Sequence, residues 1–271
     1  MKKIVVAFND LLLPVHVMNC ALEIATLHGA TLFGLFVNST QPVGGEANPS
    51  LDVLDPTGRN VASEAIAHAD LRPGQSIITA FKNACLDAGL PFGIQEVHSN
   101  HLDVLNDQSE FADLLLMDVR SEPSSYSLKA FLTSTRCPVV LVPQTYEQVS
   151  SIIFTYDDTS PAMYAIKAFS YLFTALKHLP ATLVSVVAPN ILGIQYGEQI
   201  ESWLRPHYPN ATIEILKGTV RDELPAYINR QKAPLVVMAA YGRTKLSLLF
   251  KESLANLIAQ NTRAILFIAH D

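Results

Sequence analysis

The feature that most constrains this chain is an internal repeat. The segment Ile4–Asp10 aligns without a gap on Ile152–Asp158, and in both segments an apolar run ends in an amide or acidic pair. Two further matches follow in the same order: Ala30–Leu32 with Ala181–Leu183, and Thr135–Val142 with Thr262–Ile268. Three matches in one order indicate that the chain contains two copies of a single fold.

The length and composition agree with two compact domains. A chain of 271 residues suits two domains of about 135 residues better than one. Hydrophobic residues make up 49% of the chain and charged residues 16%, which excludes a disordered protein and predicts a large buried core. The polar connector Pro143–Val149 separates the repeats, so we expect one domain at residues 1–146 and another at 147–271.

The second half alternates apolar strands with helices. Ser160 and Pro161 predict a helix start, as an N-cap residue followed by a first-turn proline. The expected strands are 152–157, 181–187, 211–216, 234–239 and 264–268, and the expected helices are 162–177, 195–205, 221–231 and 253–261. Apolar strands separated by helices predict a parallel sheet covered on both faces. The fold class is therefore α/β, with a doubly wound five-stranded parallel sheet in each half.

The first half follows the same plan but carries a long insert at about 38–72. The insert lies between an expected strand at 31–37 and an expected helix at 74–88, and it is rich in Asn, Pro, Gly, Ser and Asp. Residues 61–69 within it have the composition of a short helix. A connection of this length is either a functional flap or a disordered segment.

Several classes of function are excluded by the bulk properties of the sequence. The formal net charge of −6 argues against a nucleic-acid-binding surface. No apolar run is long enough to span a membrane, and the two lysines near the start are followed by Asn9 and Asp10 instead of a signal-peptide core. The three cysteines are spaced too widely for a disulfide framework or a zinc site. We therefore expect a cytoplasmic protein without nucleic-acid or membrane partners.

Glycine is scarce in this chain, with 12 residues in total, so the few glycines near strand ends are informative. The segment Val237–Arg243 continues an apolar strand into a loop, and Glu252 and Ser253 follow further on. With the repeat, this segment resembles the universal stress protein domain, and the whole chain outside the insert resembles a tandem universal stress protein. The resemblance implies an adenine nucleotide alpha hydrolase-like fold in two copies related by a pseudo-twofold axis.

The phosphate-binding motif of that family is incomplete here. Its nucleotide-binding members carry Gly-x-x-Gly, nine residues, and then Gly-Ser or Gly-Thr, because glycines let the backbone approach phosphates and a helix N-terminus favours an anion. Ala239 replaces the first glycine and Glu252 the third, whereas Gly242 and Ser253 are kept. Glu252 brings a negative charge to a phosphate pocket, although a carboxylate in a first helical turn also stabilises the helix by about 0.3–1 kcal/mol.

The resemblance implies a site for ATP or ADP in the second domain. Asp157 would hold the adenosine, and Ala188 would line the base. The ribose and phosphates would contact the backbone or side chains of the remaining site residues, which are Met238, Gly242, Arg243 and Ser253.

The first domain departs further from the motif. Asn9 stands where the family has its adenosine-binding aspartate, the loop after Met117 is shortened and lacks glycine, and only Ser127 matches. We therefore expect that the first domain does not bind a nucleotide in the family manner.

Other candidate chemistry in the sequence has a plainer explanation. Asp157 and Asp158 could bind a metal, but at a strand end a nucleotide contact or loop capping is favoured. His98 and His101 flank a predicted strand end and a loop without an evident third ligand, so we expect surface histidines and no metal site. Cys137 could be a reactive thiol, but the default is a buried cysteine at a strand edge.

The last strand of each half predicts a partner. Val139–Val142 and Ile265–Ile268 are strongly apolar and would lie at a sheet edge, where an uncovered strand promotes aggregation. In the family this edge pairs with another domain, so we expect internal domain–domain pairing through these strands, with a homo-oligomer left open.

Taken with the resemblance, these features predict a stress-response protein that acts as a regulatory or interaction module with degenerate nucleotide sites. No nucleophile elbow, P-loop or Cys-x-x-Cys motif is present, so no catalytic residues are assigned. Two alternatives stay open: a nucleotide-binding stress protein, with weak ATP hydrolysis included, and a binder of another small molecule under the 38–72 insert.

Overall fold

The computed structural model describes residues 1–8, 13–37, 51–54, 75–97, 101–119, 128–239, 258 and 262–270. Contacts divide the chain into two compact units, Met1–Cys137 and Pro138–Asp271. The strand Val139–Val142, the last of the first repeat, therefore groups with the second unit, and the boundary lies before the one at 146/147 expected from the sequence.

The first unit contains a doubly wound sheet. Its strands are β1 (Lys3–Phe8), β2 (Thr31–Val37), β3 (Leu51–Leu54), β4 (Phe92–Val97) and β5 (Leu114–Asp118). Its helices are α1 (Val15–His28), α2 (Gln75–Asp87), α3 (His101–Glu110) and α4 (Leu128–Ser134). The strand order is β3-β4-β2-β1-β5, and the pairings of β1, β2, β4 and β5 are parallel. β3 pairs antiparallel with β4, so part of the predicted insert forms an edge strand that the sequence analysis did not anticipate.

Aromatic rings fill the core of the first unit. The ring of Phe81 on α2 makes edge contacts with Phe8, Phe36 and Phe92. Gly34 on β2 leaves space for these rings, because a Cβ atom there would lie 2.7 Å from Cε2 of Phe36 and 3.1 Å from Cε1 of Phe81. One of the few glycines is therefore required by packing and not by a ligand.

The second unit repeats the plan and adds one strand. Its strands are β6 (Val139–Val142), β7 (Ser151–Thr155), β8 (Ala181–Val187), β9 (Thr212–Lys217), β10 (Pro234–Ala239) and β11 (Ile265–Ala269). Its helices are α5 (Ser160–Leu172), α6 (Gly197–His207) and α7 (Val220–Ile228), with a 3-10 turn at Thr174–Leu176. The order is β6-β11-β10-β7-β8-β9, with β7 to β11 parallel. The helix predicted at 253–261 lies, apart from Ile258, outside the described residues.

β6 and β11 form an antiparallel ladder in which Val140 lies opposite Phe267. Both strands are fully buried, which agrees with their continuous apolar sequences. Because β6 belongs to the second compact unit, this ladder lies inside that unit. That these strands join the two halves of the chain stays a prediction.

The structure corrects the limits of the helix α5. Its N-cap is Thr159, whose hydroxyl accepts a hydrogen bond from the Ala162 N–H at 3.3 Å, and not Ser160 as the sequence predicted. The helix ends at Leu172 instead of near residue 177, because Phe173 leaves helical geometry. The Phe173 ring stacks on that of Phe169 at 4.9 Å, which keeps this turn in the core.

The predicted fold class is confirmed, with a doubly wound α/β sheet in each repeat. The strands β2, β8 and β10 have the predicted limits, and most other predicted elements shift by one to three residues. Within the described ranges, no helix is both long enough and apolar enough to cross a membrane.

Candidate functional site

The best candidate site lies at the carboxyl edge of the sheet in the second unit. The strand order reverses between β7 and β10, and ligands of doubly wound sheets bind at such a switch point. Asp157 follows β7, Ala188 follows β8, and Met238 lies near the end of β10. Because these strands are parallel neighbours, the structure brings these three predicted residues to one edge. The other three, Gly242, Arg243 and Ser253, lie outside the described residues.

Hydrogen bonds fix the end of β7 to both neighbouring strands. The Thr155 hydroxyl donates to the carbonyl of Val237 on β10 at 3.0 Å, and the Tyr156 N–H donates to the carbonyl of Val184 on β8 at 3.0 Å. Met238 is 3% exposed and lies opposite Ile268 in the ladder between β10 and β11. The backbone role that the resemblance implies for Met238 stays a prediction.

Asp157 is exposed at this edge and also takes part in the start of α5. Its carboxylate accepts a hydrogen bond from the Thr159 hydroxyl at 2.5 Å, while the same hydroxyl caps the helix. The aspartate is thus held close to the first turn of α5, with its side chain exposed to solvent. An exposed carboxylate in this position can accept hydrogen bonds from the hydroxyl groups of a ribose.

Asp158 caps the next helix of the unit. Its backbone has φ of 58°, a left-handed conformation that Asp adopts more readily than most residues. Its carboxylate accepts hydrogen bonds from the N–H groups of Gln195 at 2.9 Å and Tyr196 at 3.2 Å, immediately before α6. Loop capping, one of the two readings favoured for the Asp157–Asp158 pair, is therefore confirmed for Asp158. Among the described residues, no group of three or more His, Cys, Asp or Glu side chains is arranged to hold a metal.

Tyr156 is a residue of this edge that the sequence analysis missed. Burial, followed by the charges of Asp158 and Asp157 and the nearby Tyr196, raises the pKa of its phenol. The phenol therefore stays protonated at neutral pH. Its position in the sequence, between an apolar strand and an acidic pair, could have indicated that Tyr156 lies at this edge.

The equivalent edge of the first unit is built differently. Asp118 ends β5, the counterpart of β10, and its Oδ2 lies 2.8 Å from Nε2 of His16 in the first turn of α1. The side chains of His16 and Asp118 are only 16% and 11% exposed. A carboxylate in this position repels a phosphate. The predicted comparison residues Asn9 and Ser127 lie outside the described ranges.

Two remaining candidates of the sequence analysis, Cys137 and His101, lie in the described part of the chain, and neither belongs to a group arranged to hold a metal. Cys137 is a buried free cysteine, as predicted, and burial, followed by the charge of Asp113, raises the pKa of its thiol to about 12. His101 begins α3, a helix that the sequence analysis did not predict, and does not lie in a loop. His98 lies outside the described residues.

Together these features define a doubly wound α/β protein in which three predicted site residues lie at the switch point of the second unit. No protein-family model matches the sequence, and no curated protein matches it either. Solved structures do match along the whole chain, although their sequences are very different.

A universal stress protein from Archaeoglobus fulgidus DSM 4304 is 9% identical with a TM-score of 0.58, and the match covers 98% of this chain and 96% of that one. A functionally unknown protein from Pseudomonas aeruginosa PAO1 is 14% identical with a TM-score of 0.60, covering 99% and 92%. The cytoplasmic domain of a prokaryotic cation chloride cotransporter is 12% identical with a TM-score of 0.54, covering 100% and 95%. The chain therefore has the universal stress protein fold in two successive copies, as the repeat predicted.

Proposed function

We propose that this protein is a regulatory module of the stress response that binds ATP or ADP in its second unit and does not act by catalysis. The observation that carries the proposal is the contrast between the two switch points. In the second unit the carboxylate of Asp157 is exposed after β7 and β10 ends in Ala239, whereas in the first unit β5, the counterpart of β10, ends in Asp118, which contacts His16.

The second unit offers suitable groups for a nucleoside. Asp157 supplies acceptors for ribose hydroxyls, and Ala188, exposed after β8, leaves room for a flat base. The first unit is expected to exclude a nucleotide, because the Asp118 carboxylate would face phosphate charge at short range. The proposal therefore predicts one nucleotide per chain.

A regulatory role agrees with the range of proteins that share the fold. One similar structure is described as a universal stress protein and another as the cytoplasmic domain of a cotransporter. The competing class is a weak ATP hydrolase, which requires a base and a metal ligand beside the phosphates. Release of inorganic phosphate from ATP above the rate of a heat-denatured sample would favour the hydrolase.

Native mass spectrometry and titration calorimetry with ATP and ADP test the proposal. We expect one nucleotide per chain and at least a tenfold loss of affinity in Asp157→Ala, since a hydrogen bond to a charged group contributes about 1.5–3 kcal/mol. Thr159→Val is the control for helix stability, because it removes the α5 cap, worth about 0.5–2 kcal/mol, together with the hydroxyl that donates to Asp157, but keeps the carboxylate.

The control variant should unfold at a lower temperature and still bind. No binding at millimolar nucleotide would refute the proposal, and two nucleotides per chain would refute the assignment to the second unit. Equal losses of affinity in Asp157→Ala and Thr159→Val would show that Asp157 acts through the helix and not on the ligand.

A further inference from the structure

The 188–196 loop, which joins β8 to α6, is tied to the rest of the second unit at two points. We propose that Asp158 and Lys217 are positioning residues that hold this loop as the base-side wall of the nucleotide site. The inference rests on the proposed function, because the wall has a role only if a nucleoside binds beside Asp157.

The first contact joins the end of the loop to the segment that follows β7. The Asp158 carboxylate accepts the N–H groups of Gln195 and Tyr196 at 2.9 and 3.2 Å. Hydrogen bonds from N–H groups to a carboxylate are stronger than neutral ones, and the positive end of the α6 dipole adds to them. Asp157 and Asp158 are consecutive, so the group that would hold the ribose and the group that holds the loop share one short backbone segment.

The second contact joins the start of the loop to β9. The Lys217 ammonium, at the end of β9, donates to the carbonyl of Ile191. The Ile191 N–H in turn donates to the carbonyl of Ala188 at 3.0 Å, which closes a tight turn directly after β8. Lys217 therefore fixes the turn that contains the residue expected to line the base.

The hydrogen bonds from Asp158 and Lys217 are needed to hold the loop, because the loop buries little apolar surface. Leu192 is 98% exposed, and Ile191 and Tyr196 are 46% and 44% exposed. A segment with few buried apolar contacts opens at low cost in free energy. If the loop is in place for only a fraction of the time, the apparent affinity falls by that fraction.

The sharpest variant is Asp158→Gly, because glycine accepts the φ of 58° without strain and removes only the carboxylate. Asp158→Asn keeps one acceptor oxygen and serves as the conservative rescue, and Lys217→Met keeps the length of the side chain. Asp222→Ala is the matched control, since Asp222 is an exposed carboxylate bonded to Thr219 at the start of α7.

Two measurements are made on each variant of the full chain. The first is amide hydrogen exchange at Gln195 and Tyr196 without nucleotide, and the second is the affinity for ATP and for adenosine. In Asp158→Gly we expect exchange to accelerate and both affinities to fall by the same factor, roughly tenfold. The exchange rate and the affinities of Asp158→Asn should lie between those of Asp158→Gly and those of the parent protein. Lys217→Met should lose affinity a few-fold, and Asp222→Ala should have the affinities of the parent.

The equal loss for ATP and adenosine is the readout that a merely structural role would not give, because it places the effect on the nucleoside. Unchanged exchange in Asp158→Gly would overturn the positioning role, and faster exchange with unchanged affinity would show that the loop is not part of the site. If the parent protein binds ATP but the Asp158 and Lys217 variants bind it equally well, this inference is refuted and the proposed function stands. If the parent protein binds neither ATP nor adenosine, both the proposed function and this inference are refuted.

Discussion

The buried pair of Tyr208 and Ser170 gives a quantitative test of how the second unit is held together. The Tyr208 hydroxyl donates to Oγ of Ser170 at 3.0 Å, and the Ser170 hydroxyl donates to the Ile166 carbonyl at 2.7 Å. Tyr208 is 2% exposed and Ser170 is fully buried, so neither group can turn to water instead. Burial outweighs the hydrogen bond with Ser170 and raises the pKa of the Tyr208 phenol, so the pair stays neutral.

The two single substitutions should differ in their cost. Tyr208→Phe removes one hydrogen bond and leaves Ser170 bonded to Ile166, which should lower the free energy of unfolding by about 0.5–1.5 kcal/mol. Ser170→Ala leaves the Tyr208 hydroxyl buried without this partner, which costs about 1–3 kcal/mol, partly offset by the better helix propensity of alanine. In the Ser170→Ala background, Tyr208→Phe removes an unsatisfied group and should be neutral or stabilising.

Urea unfolding followed by tryptophan fluorescence measures these values for the second unit. Trp203 is the only tryptophan of the chain and lies on α6, with its ring stacked 4.0 Å from that of His207. Tyr171→Phe is the control, because Tyr171 is 62% exposed and its change should stay within about 0.5 kcal/mol. If Tyr208→Phe destabilises the parent and the Ser170→Ala variant equally, the two hydroxyls are not coupled and the reasoning is wrong.

Two further predictions concern titrating groups. Burial raises the pKa of the Cys85 and Cys137 thiols to about 12, so both should resist a thiol reagent at pH 8 in the folded protein and react after unfolding; rapid labelling of either in the folded chain would contradict their burial. Burial alone would raise the pKa of Asp113, but the N–H groups of Lys2 and Lys3 and the charge of the chain terminus hold it below its ordinary value of 3.8. Since the folded state then binds this proton less readily than the unfolded state, the stabilisation is complete above about pH 4 and is lost as the pH falls further. Asp113→Asn should therefore weaken the acid dependence of unfolding, measured by circular dichroism, and an unchanged acid dependence would count against this role.

Most of the fold was predictable from the sequence because it depends on apolar patterns that are local. Runs such as Leu114–Met117 are apolar at every position, and this alone requires burial on both faces of a sheet. β3 escaped prediction because a four-residue edge strand within a polar insert carries almost no such pattern. The start of α5 was misplaced by one residue because Thr159 and Ser160 are both good N-cap residues, and only the geometry of the chain selects Thr159.

Part of the candidate site was likewise predictable from the sequence, and part was not. The repeat places Asp157 and Ala188 after adjacent strands, and the sequence is sufficient to bring them to one edge, because parallel strands end together. The contact between His16 and Asp118 and the bonds from Asp158 and Lys217 to the 188–196 loop join residues that are far apart in the chain. The periodicity of apolar residues does not predict such contacts, because they depend on how helices and loops pack across the end of the sheet. The sequence by itself therefore determined two copies of one α/β fold and the edge where a ligand would lie. Only the tertiary structure decided that Asp118 contacts His16, that Asp158 bonds to the end of the 188–196 loop, and that Asp157 is exposed at that edge.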